Sequence, residues 1–548
     1  MPSNVIDAKS TDKKKPLEVQ DVEKEFFISV FFDGTNNKMN TKQETAKPQN
    51  KDAQAFGGSV AKLPSVDANR NGNTPLRQKD TNVAALSCLA ENKKVCEGGK
   101  VKYYNHFYIE GPGTTYDGDK KDKGWFQELK DKPSEMVGMA VGTWSQGVIA
   151  KVARGVSEVH RYLYGNTQQR ERPKVVVHFC VYGFSRGAAC ARLFAYLVAR
   201  AADNNATIAL ESVFKDYLYD GAKKLYTSRL TFLDDFNKAN RIVEFLGIYD
   251  TVSSIGIIDE TGISNVKEVE DNVNIFHNLN ARDYGLYSPQ LGNVHRTFHI
   301  CAMDEFRKNF AITDVGKKVP ASCIEVFVPG CHSDVGGSYE DAQDSTVCLK
   351  YINGFKWTKL VMKDPRNPEK GTGNVNKENL LALGWAVEKS WYKEAWDSIS
   401  SYDDNFLMNT FQATVSYTRT VKRGLSNITF VMMWDRTHKD VSKVWGCDVF
   451  NDYFPLDDFQ IPGALSSTAK LMNANNLPTG KRSWIIPGNS LDSEAYKTLR
   501  SNYIHFSATD RLGISIVNAP NWKDNILCRI VYHGDRNDSS IHYMQDYD

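Results

Sequence analysis

The 548-residue sequence has no apolar run long enough to span a membrane. Its N-terminus is polar and lacks the apolar core of a secretory signal, so we expect any export to use another route. Lys plus Arg (68) and Asp plus Glu (66) nearly cancel to a net charge of +2, which predicts no general affinity for nucleic acid or anionic membranes. Internal repeats and low-complexity tracts are absent too. What remains is an ordinary globular composition, long enough for two or three domains or one domain with insertions.

The ten cysteines include no Cys-x-x-Cys pair. Several lie in apolar, strand-like segments, which indicates reduced thiols in the core rather than disulfides or a zinc site. Cys331, beside His332, is an alternative nucleophile. Neither a helix start nor a basic partner is evident around it, so we do not expect Cys331 to react.

Short β-branched and aromatic segments alternate with segments of helical periodicity over the first 330 residues. This alternation predicts an α/β fold, with a mostly parallel sheet covered by helices on both faces. Polar residues follow each apolar segment, at the carboxyl strand ends where such sheets bind ligands. The predicted strands cover residues 25–32, 101–109, 175–182, 242–249, 296–303 and 324–328.

The stretch 173–198 carries the most specific signal in the chain. A buried strand turns sharply through Gly-x-Ser-x-Gly at 183–187 into a helix with small residues in its first turn. This is the nucleophile-elbow pattern of α/β-hydrolases, in which the serine occupies a strained turn. Gly183 and Gly187 are needed because side chains there would collide with the strand or the helix. We therefore predict that Ser185 is a nucleophile.

A serine nucleophile needs a general base, and the base needs an acid that fixes its tautomer. In α/β-hydrolases the acid follows the serine in the chain and the histidine follows the acid. Asp250 ends one apolar strand and His332 follows another, so both should lie at the sheet edge that carries Ser185. We predict His332 as the base. The acid stays open between Asp250 and two secondary candidates, Asp304 and Asp334.

Acyl transfer also needs two backbone N–H donors for the oxyanion. We expect the N–H of Arg186 to be the first donor, and that of Gly34 or Thr35 to be the second. Asp33 and Asp334 could instead frame a calcium or magnesium site, because carboxylates and turn carbonyls suit these ions. No acidic loop of recognised spacing is present, so we predict no metal and no cofactor.

Five motifs at predicted strand ends occur in one order, and together they resemble a known family. The resemblance is to the α/β-hydrolase phospholipase effectors of bacterial type VI secretion systems, in the subfamily with a Gly-x-Ser-x-Gly elbow. It spans residues 26–387. Tyr249 and Cys331 depart from the family pattern, where Trp and an aliphatic residue are expected, and neither change affects the predicted triad. The motifs are FDGTNN at 32–37, GFSRG at 183–187, YDTV at 249–252, MDEFR at 303–307 and PGCHSDVGG at 329–337.

The resemblance implies a Ser185–Asp250–His332 triad that hydrolyses acyl esters of membrane glycerophospholipids, as a phospholipase A does. It implies an antibacterial effector, made in the bacterial cytoplasm and delivered to the target cell's periplasm. A VgrG-type secretion spike protein and a cognate immunity protein are the implied partners, with peripheral contact to the membrane and no nucleic acid. Two rival functions remain: a soluble-substrate esterase or thioesterase, and a catalytically inert hydrolase-like binding protein.

The domain organisation follows from composition and from this resemblance. Residues 1–23 are expected to form a flexible tail, and residues 24–390 an α/β-hydrolase catalytic domain with polar insertions near 38–73 and 260–293. Residues 391–548 mix aromatic segments with Asn-rich and Pro-containing loops. We expect them to form an appended cap, or a region that faces the membrane or a partner.

Overall fold

In the computed structural model of the protein, one large sheet lies between two apolar cores. The predicted tail, apart from Glu23, and both predicted polar insertions lie outside the described residues. The described residues are 23–35, 37, 80–112, 148–200, 235–253, 294–307, 310–316, 318–339, 343–352, 384–385, 412–450, 460–507, 522–523, 526–527, 529–532 and 542–543.

The α-helices are α1 Asn82–Leu89, α2 Val148–Asn166, α3 Arg186–Arg200, α4 His332–Gly336, α5 Leu425–Trp445, α6 Ser466–Leu471 and α7 Glu494–Asn502. The strands are β1 Glu23–Phe32, β2 Lys93–Glu97, β3 Lys100–Ile109, β4 Val176–Phe184, β5 Arg241–Tyr249, β6 Thr297–Ala302, β7 Ile312–Thr313, β8 Cys323–Val328, β9 Gln343–Ile352, β10 Gln412–Val421, β11 Lys481–Trp484, β12 Trp522–Lys523, β13 Ile526–Leu527, β14 Ile530–Tyr532 and β15 His542–Tyr543. Strands and helices alternate from β3 to β5, whereas β5 to β8 and β12 to β15 follow one another with no α-helix described between them.

Eight strands form one sheet in the order β11-β8-β6-β5-β4-β1-β3-β2. Every neighbouring pair is parallel except β2 with β3, which is antiparallel. The predicted α/β class with a mostly parallel sheet is confirmed. Three small sheets accompany it in the described residues: β9 with β10, β12 with β13, and β7 with β14 and β15.

Strand β1 shows how the apolar runs serve both faces of the sheet. Successive side chains of a strand point to opposite faces. Phe26 and Phe32 accordingly join one core with α2 and α3, whereas Phe27 and Phe31 join a second core with α1 and α5. Burial on both faces explains why the strand reads as a nearly continuous apolar run. Helices cover both faces, as predicted. Among the described helices, none combines the length and apolarity needed to cross a membrane.

The described parts of the segment 391–548 differ from the predicted appended region, because they complete the sheet and its second core. Strand β11 pairs with the edge of β8. Helix α5 packs on the face that carries Tyr182, whose hydroxyl bonds to Thr437 Oγ1 at 3.2 Å. A bare parallel edge and a bare apolar face would both favour aggregation, so the C-terminal segment supplies cover that the preceding residues lack.

Candidate active site

Ser185 lies in a strained turn between β4 and α3. Its φ angle is 61°, in the left-handed region that costs a non-glycine residue roughly 1–3 kcal/mol. Two backbone hydrogen bonds hold this conformation. The Ser185 N–H donates to the Tyr249 carbonyl at 3.0 Å, and the Ser185 carbonyl accepts from the Val252 N–H at 3.2 Å. The elbow is therefore tied to the end of β5.

The two elbow glycines are required by close backbone contacts, as the sequence predicted. A Cβ atom on Gly183 would lie 2.4 Å from the Gly187 carbonyl oxygen and 2.6 Å from Ala188 Cα. A Cβ atom on Gly187 would lie 2.2 Å from the Asp33 carbonyl oxygen. These contacts bring the start of α3 against the end of β1.

Asp250 and His332 form a buried hydrogen-bonded pair. Asp250 follows β5 with a φ of 44°, and its N–H donates to the Ile300 carbonyl at 2.7 Å. His332 begins α4, after β8. The distance from His332 Nδ1 to Asp250 Oδ2 is 2.6 Å. An ionised carboxylate only accepts, so the imidazole proton lies on Nδ1 and Nε2 is left as an acceptor.

Ser185, Asp250 and His332 follow the carboxyl ends of β4, β5 and β8, at the same edge of the sheet. The Phe184 ring, directly before Ser185 in the chain, lies 4.5 Å from the His332 ring between centroids, and the Phe310 ring lies 4.9 Å from it. Ser185 is 2% exposed, Asp250 0% and His332 4%. Polar interactions are stronger at such a site than in water, because the effective dielectric constant is lower.

Arg529 completes the surroundings of Asp250. Its Nη1 and Nη2 atoms donate to Asp250 Oδ1 and Oδ2 at 2.7 and 2.8 Å, and the Ala302 N–H donates to Oδ1 at 2.8 Å. Burial by itself raises the pKa of Asp250, but the charge of Arg529 and the hydrogen bond from His332 outweigh it. The pKa therefore lies well below its ordinary value.

Arg529 was missed in the reading of the sequence. The sequence does contain a signal, because Arg529 is the single charged residue in the apolar run ILCRIVY at 526–532. Arginine is almost never fully buried unless it is paired, so this position predicts an acidic partner.

His332 is tuned toward its neutral form. Burial lowers its pKa and the nearby charge of Arg307 lowers it further, while the hydrogen bond to Asp250 raises it; the net pKa is below the ordinary value. The His332 N–H donates to Glu305 Oε2 at 3.3 Å, and Glu305 binds Arg307 through two bonds of 2.8 Å. Burial raises the pKa of Glu305, but Arg307 lowers it to about 2. Glu305 was not predicted to contribute to the site.

The secondary acid candidates bind other partners. Asp304 accepts from the Tyr496 hydroxyl at 2.8 Å, from Arg500 Nε at 3.2 Å and from the Gly330 N–H at 3.0 Å. Its contacts brace the loop before α4 against α7. In the described chain the His332 ring is bonded to Asp250, not to Asp304.

Asp334 caps the helix that carries His332. One of its oxygens accepts from the Cys331 N–H at 3.0 Å and from the His505 N–H at 2.9 Å. The other lies 2.6 Å from His505 Nδ1. Asp334 therefore pairs with a different histidine, and it positions His332 only through the backbone of α4.

The three residues predicted to supply the oxyanion donors lie at the start of α3 and after the end of β1. The N–H of Arg186 belongs to the first residue of α3, and the first N–H groups of a helix point toward its N-terminal end. The Gly34 N–H donates to Asp33 Oδ1 at 2.7 Å, so it is already engaged. The Thr35 hydroxyl accepts from Arg186 Nη1 at 3.0 Å, which joins the end of β1 to the elbow. Of the two predicted second donors, the Gly34 N–H is thus the one that is bonded to a neighbouring carboxylate.

The two carboxylates considered for a metal site have separate donors. Asp33 accepts from the Thr81 hydroxyl at 2.6 Å and from the Tyr108 hydroxyl at 2.5 Å, in addition to its bond from Gly34. Burial raises the pKa of Asp33 to about 6, against these hydrogen bonds. The oxygens of Asp334 are bonded to the groups around α4 given above.

A different group, His299, Cys301 and Glu325, places possible metal ligands within 4.8 Å of one another. His299 Nε2 accepts from the Thr251 N–H at 3.2 Å, and its Nδ1 lies 2.9 Å from Glu325. Arg482 Nε donates to the other Glu325 oxygen at 2.6 Å. Burial raises the pKa of the Cys301 thiol well above its ordinary value. His299 and Glu325 are thus engaged in hydrogen bonds with Thr251, with Arg482 and with each other, and burial disfavours the thiolate form of Cys301. This group therefore fits a metal ion poorly.

Cys331 does stand at a helix start, contrary to expectation, because it is the N-cap residue of α4. Burial nevertheless raises the pKa of its thiol well above the ordinary value, and its Sγ lies 3.6 Å from the Tyr339 hydroxyl. A protonated, buried thiol is a poor nucleophile.

Three strand ends of the parallel sheet thus carry a serine in a strained turn, a buried aspartate and a histidine that is bonded to this aspartate. The sequence profile of the family described as "T6SS, Phospholipase effector Tle1-like, catalytic domain" matches residues 27–355, more than half of the chain. The chain therefore belongs to the Tle1-like phospholipase effectors of type VI secretion systems.

Two solved structures are similar to the chain. One, described as "Structure of the Tle1 effector bound to the VgrG spike from the Type 6 secretion system", gives a TM-score of 0.47 at 18% identity, covering 95% of this chain and 98% of that chain. The other, described as "Crystal structure of an uncharacterized protein from Pseudomonas aeruginosa", gives a TM-score of 0.32 at 16% identity, covering 83% of this chain and 51% of that chain. No curated protein matches the sequence.

Proposed function

We propose that this effector is a serine hydrolase of the phospholipase A type, with Ser185 as nucleophile, His332 as base and Asp250 as acid. The observation that carries the proposal is the 2.6 Å bond between His332 and Asp250 at the strand ends beside the Ser185 elbow. An acid that is ionised, paired with a histidine that is neutral, is the protonation state in which a triad begins its reaction.

In the proposed reaction, Ser185 Oγ attacks the acyl carbonyl carbon and its proton passes to His332 Nε2. The tetrahedral intermediate then collapses to an acyl-enzyme, and His332 returns the proton to the leaving glycerol oxygen. A water molecule, deprotonated by the same nitrogen, cleaves the acyl-enzyme, releases the fatty acid and restores the Ser185 hydroxyl. Asp250 stays ionised throughout and stabilises the imidazolium form.

The negative charge of the tetrahedral intermediate needs two N–H donors. We assign the backbone N–H of Arg186 and that of Thr35 to this task. Arg186 opens α3, so the positive end of that helix dipole also favours an anion there. The bond between the Arg186 side chain and the Thr35 hydroxyl would keep the two donors in register.

The lipid substrate comes from family membership. Because the family consists of type VI phospholipase effectors, we assign the acyl ester bonds of membrane glycerophospholipids as the target and peripheral contact with the membrane as the mode of access. We extend the proposal to delivery on a VgrG-type spike protein into the target cell's periplasm. A cognate immunity protein in the producing cell completes it. Co-purification of the effector with the spike and immunity proteins encoded by the producing cell tests both partners.

Ser185→Ala in the full-length chain tests the chemistry. We expect it to abolish release of fatty acid and lysophospholipid from phosphatidylglycerol–phosphatidylethanolamine vesicles, measured by mass spectrometry, with the melting temperature nearly unchanged. Ser87→Ala is the matched control. Ser87 is also buried, but its hydroxyl bonds to the Ala84 carbonyl in α1, so activity should be retained.

Three results would contradict the proposal. Activity of the Ser185→Ala protein would exclude Ser185 as the nucleophile. A preference for short-chain monomeric esters over vesicles would favour a soluble-substrate esterase. A folded wild-type protein that is not labelled at Ser185 by a fluorophosphonate probe would favour an inert, hydrolase-like binding protein.

A further inference from the structure

The acid of the proposed triad is held by a residue far outside the part of the chain that matches the family's catalytic domain. Arg529 is 1% exposed, and both of its terminal nitrogens bond to Asp250. The same two nitrogens also reach backbone carbonyls, those of Ala302 and Phe310. This planar, two-bond geometry fixes the carboxylate in orientation as well as in charge.

A short strand pairing brings Arg529 to this place. Arg529 directly precedes β14, and Val531 of β14 pairs in parallel with Ile312 of β7. The N–H of Thr313, also in β7, donates to the carbonyl of Thr251 at 2.9 Å. Since Thr251 follows Asp250, the contacts close a ring: β14 positions Arg529, and β7 ties β14 to the backbone beside the carboxylate.

Other acidic groups of the site loops depend on the same C-terminal part of the chain. Tyr496 and Arg500 bond to Asp304. His505 bonds to Asp334, and the Ser507 hydroxyl bonds to both oxygens of Glu305 at 2.9 Å. All of these partners follow residue 355, where the family match ends. Buried carboxylates without their partners are strongly destabilising, so residues 27–355 by themselves leave the site incomplete.

We propose that Arg529 is a positioning residue for the catalytic acid, so that the C-terminal segment completes the active site. Its positive charge keeps Asp250 ionised and lets His332 remain neutral. Without that charge the buried Asp250–His332 pair binds a proton at higher pH, whichever partner carries it, and the pair is then no longer a base. The inference rests on the triad proposed above.

The test compares three variants of the full-length chain: Arg529→Met, Arg529→Lys and Arg500→Met. Arg500 is the matched control because it is another buried C-terminal arginine on a buried carboxylate, but its partner is Asp304. The measurements are kcat/KM for a short-chain fluorogenic ester as a function of pH, and the melting temperature of each protein.

We expect Arg529→Met to lower kcat/KM about 100-fold, a loss that a displacement of about 1 Å in a catalytic group can cause. The acidic limb of its pH–rate profile, where kcat/KM falls as the pH is lowered, should move to higher pH. Arg529→Lys keeps the charge but not the two-bond geometry, so its rate should fall while the limb stays near the wild-type position. Arg500→Met should lose stability without a shift of the limb.

An Arg529→Met protein with the wild-type pH profile and rate would overturn the inference, as would an equal shift in Arg500→Met. If Arg529→Met does not fold, Arg529→Lys decides, and a wild-type rate in that variant contradicts the positioning role. Ser185→Ala in the same assay separates the two proposals. An active Ser185→Ala protein refutes the triad itself. If Ser185→Ala is inactive but the pH–rate profile of Arg529→Met is not shifted, only the role of Arg529 is refuted.

Discussion

Asp250→Asn replaces one carboxylate oxygen by an amide group at nearly constant volume. The position that accepts from Ala302 and from Arg529 Nη1 can still be an oxygen. The other position would then present N–H groups to Arg529 Nη2 and to His332 Nδ1, which are both donors in the wild-type protein. The imidazole can relieve this conflict only by moving its proton to Nε2. In the proposed mechanism, Nε2 can then no longer take the proton of Ser185.

Asp250→Asn should lower both the catalytic rate and the stability of the protein. A histidine held in the wrong tautomer lowers kcat about 10⁴-fold in serine proteases, which corresponds to about 5.5 kcal/mol of transition-state stabilisation. Stability falls as well, because the buried charge of Arg529 loses its anion, and breaking a buried ion pair costs about 3–5 kcal/mol. Domains are typically stable by about 5–15 kcal/mol, so we expect a folded protein with a lower melting temperature.

The assay is fatty-acid release from phospholipid vesicles, with circular dichroism to confirm folding at the assay temperature. Asp304→Asn is the control, because Asp304 is also buried and bonded to an arginine but does not contact His332. It should lose stability and keep most of its activity. A kcat within tenfold of wild type for Asp250→Asn would refute the reasoning. Equal loss of activity in a folded Asp304→Asn protein would refute it too.

Two further predictions concern stability. Gly187→Ala should destabilise the protein by about 3 kcal/mol, the upper end for overpacking, because the new Cβ atom would lie 2.2 Å from backbone. Gly165→Ala is the control: Gly165 has open space around it in α2, so this change should be neutral or stabilising by up to about 1 kcal/mol. Thermal unfolding measures both, and equal effects of the two substitutions would contradict the prediction. Burial raises the pKa of Glu305, but Arg307 lowers it from 4.5 to about 2. Between pH 4.5 and 2 the Glu305 carboxylate stays ionised in the folded protein, whereas it takes up a proton in the unfolded chain. The free energy of unfolding should therefore fall by up to about 3 kcal/mol over this pH range. Glu305→Gln should remove that part of the slope in urea titrations, and an unchanged slope would count against it.

Much of the sheet and of the elbow could be predicted because their signals are local. The apolar runs of β1, β4, β5, β6 and β8 are buried on both faces, so each is recognisable without knowledge of its neighbours. Gly183 is required by contacts within the turn itself, with Gly187 and Ala188, whereas Gly187 is required by its contact with the end of β1. The polar residues after each strand fall at one edge because parallel strands all end there.

The remainder depended on long-range contacts. Strand β11 has the sequence KRSW, which carries little strand character and is placed only by pairing with β8. The engagement of the Gly34 N–H by Asp33 follows from side-chain geometry that no pattern encodes. The packing of helix α5 on the sheet was not predicted, because the strands on which it packs lie more than a hundred residues earlier in the chain.

The sequence by itself determined the α/β class, the strained turn at Ser185 and the sheet edge at which Asp250 and His332 would be found. Each follows from periodicity or from turn chemistry over a few residues. The residue pattern left the acid open and the family resemblance implied Asp250; the tertiary structure shows Asp250 bonded to the His332 ring, and Asp304 and Asp334 bonded to other donors. It alone brought Arg529 from the end of the chain to the acid. A buried carboxylate needs its counter-charge at hydrogen-bonding distance, and sequence separation says nothing about which residue the fold will bring there.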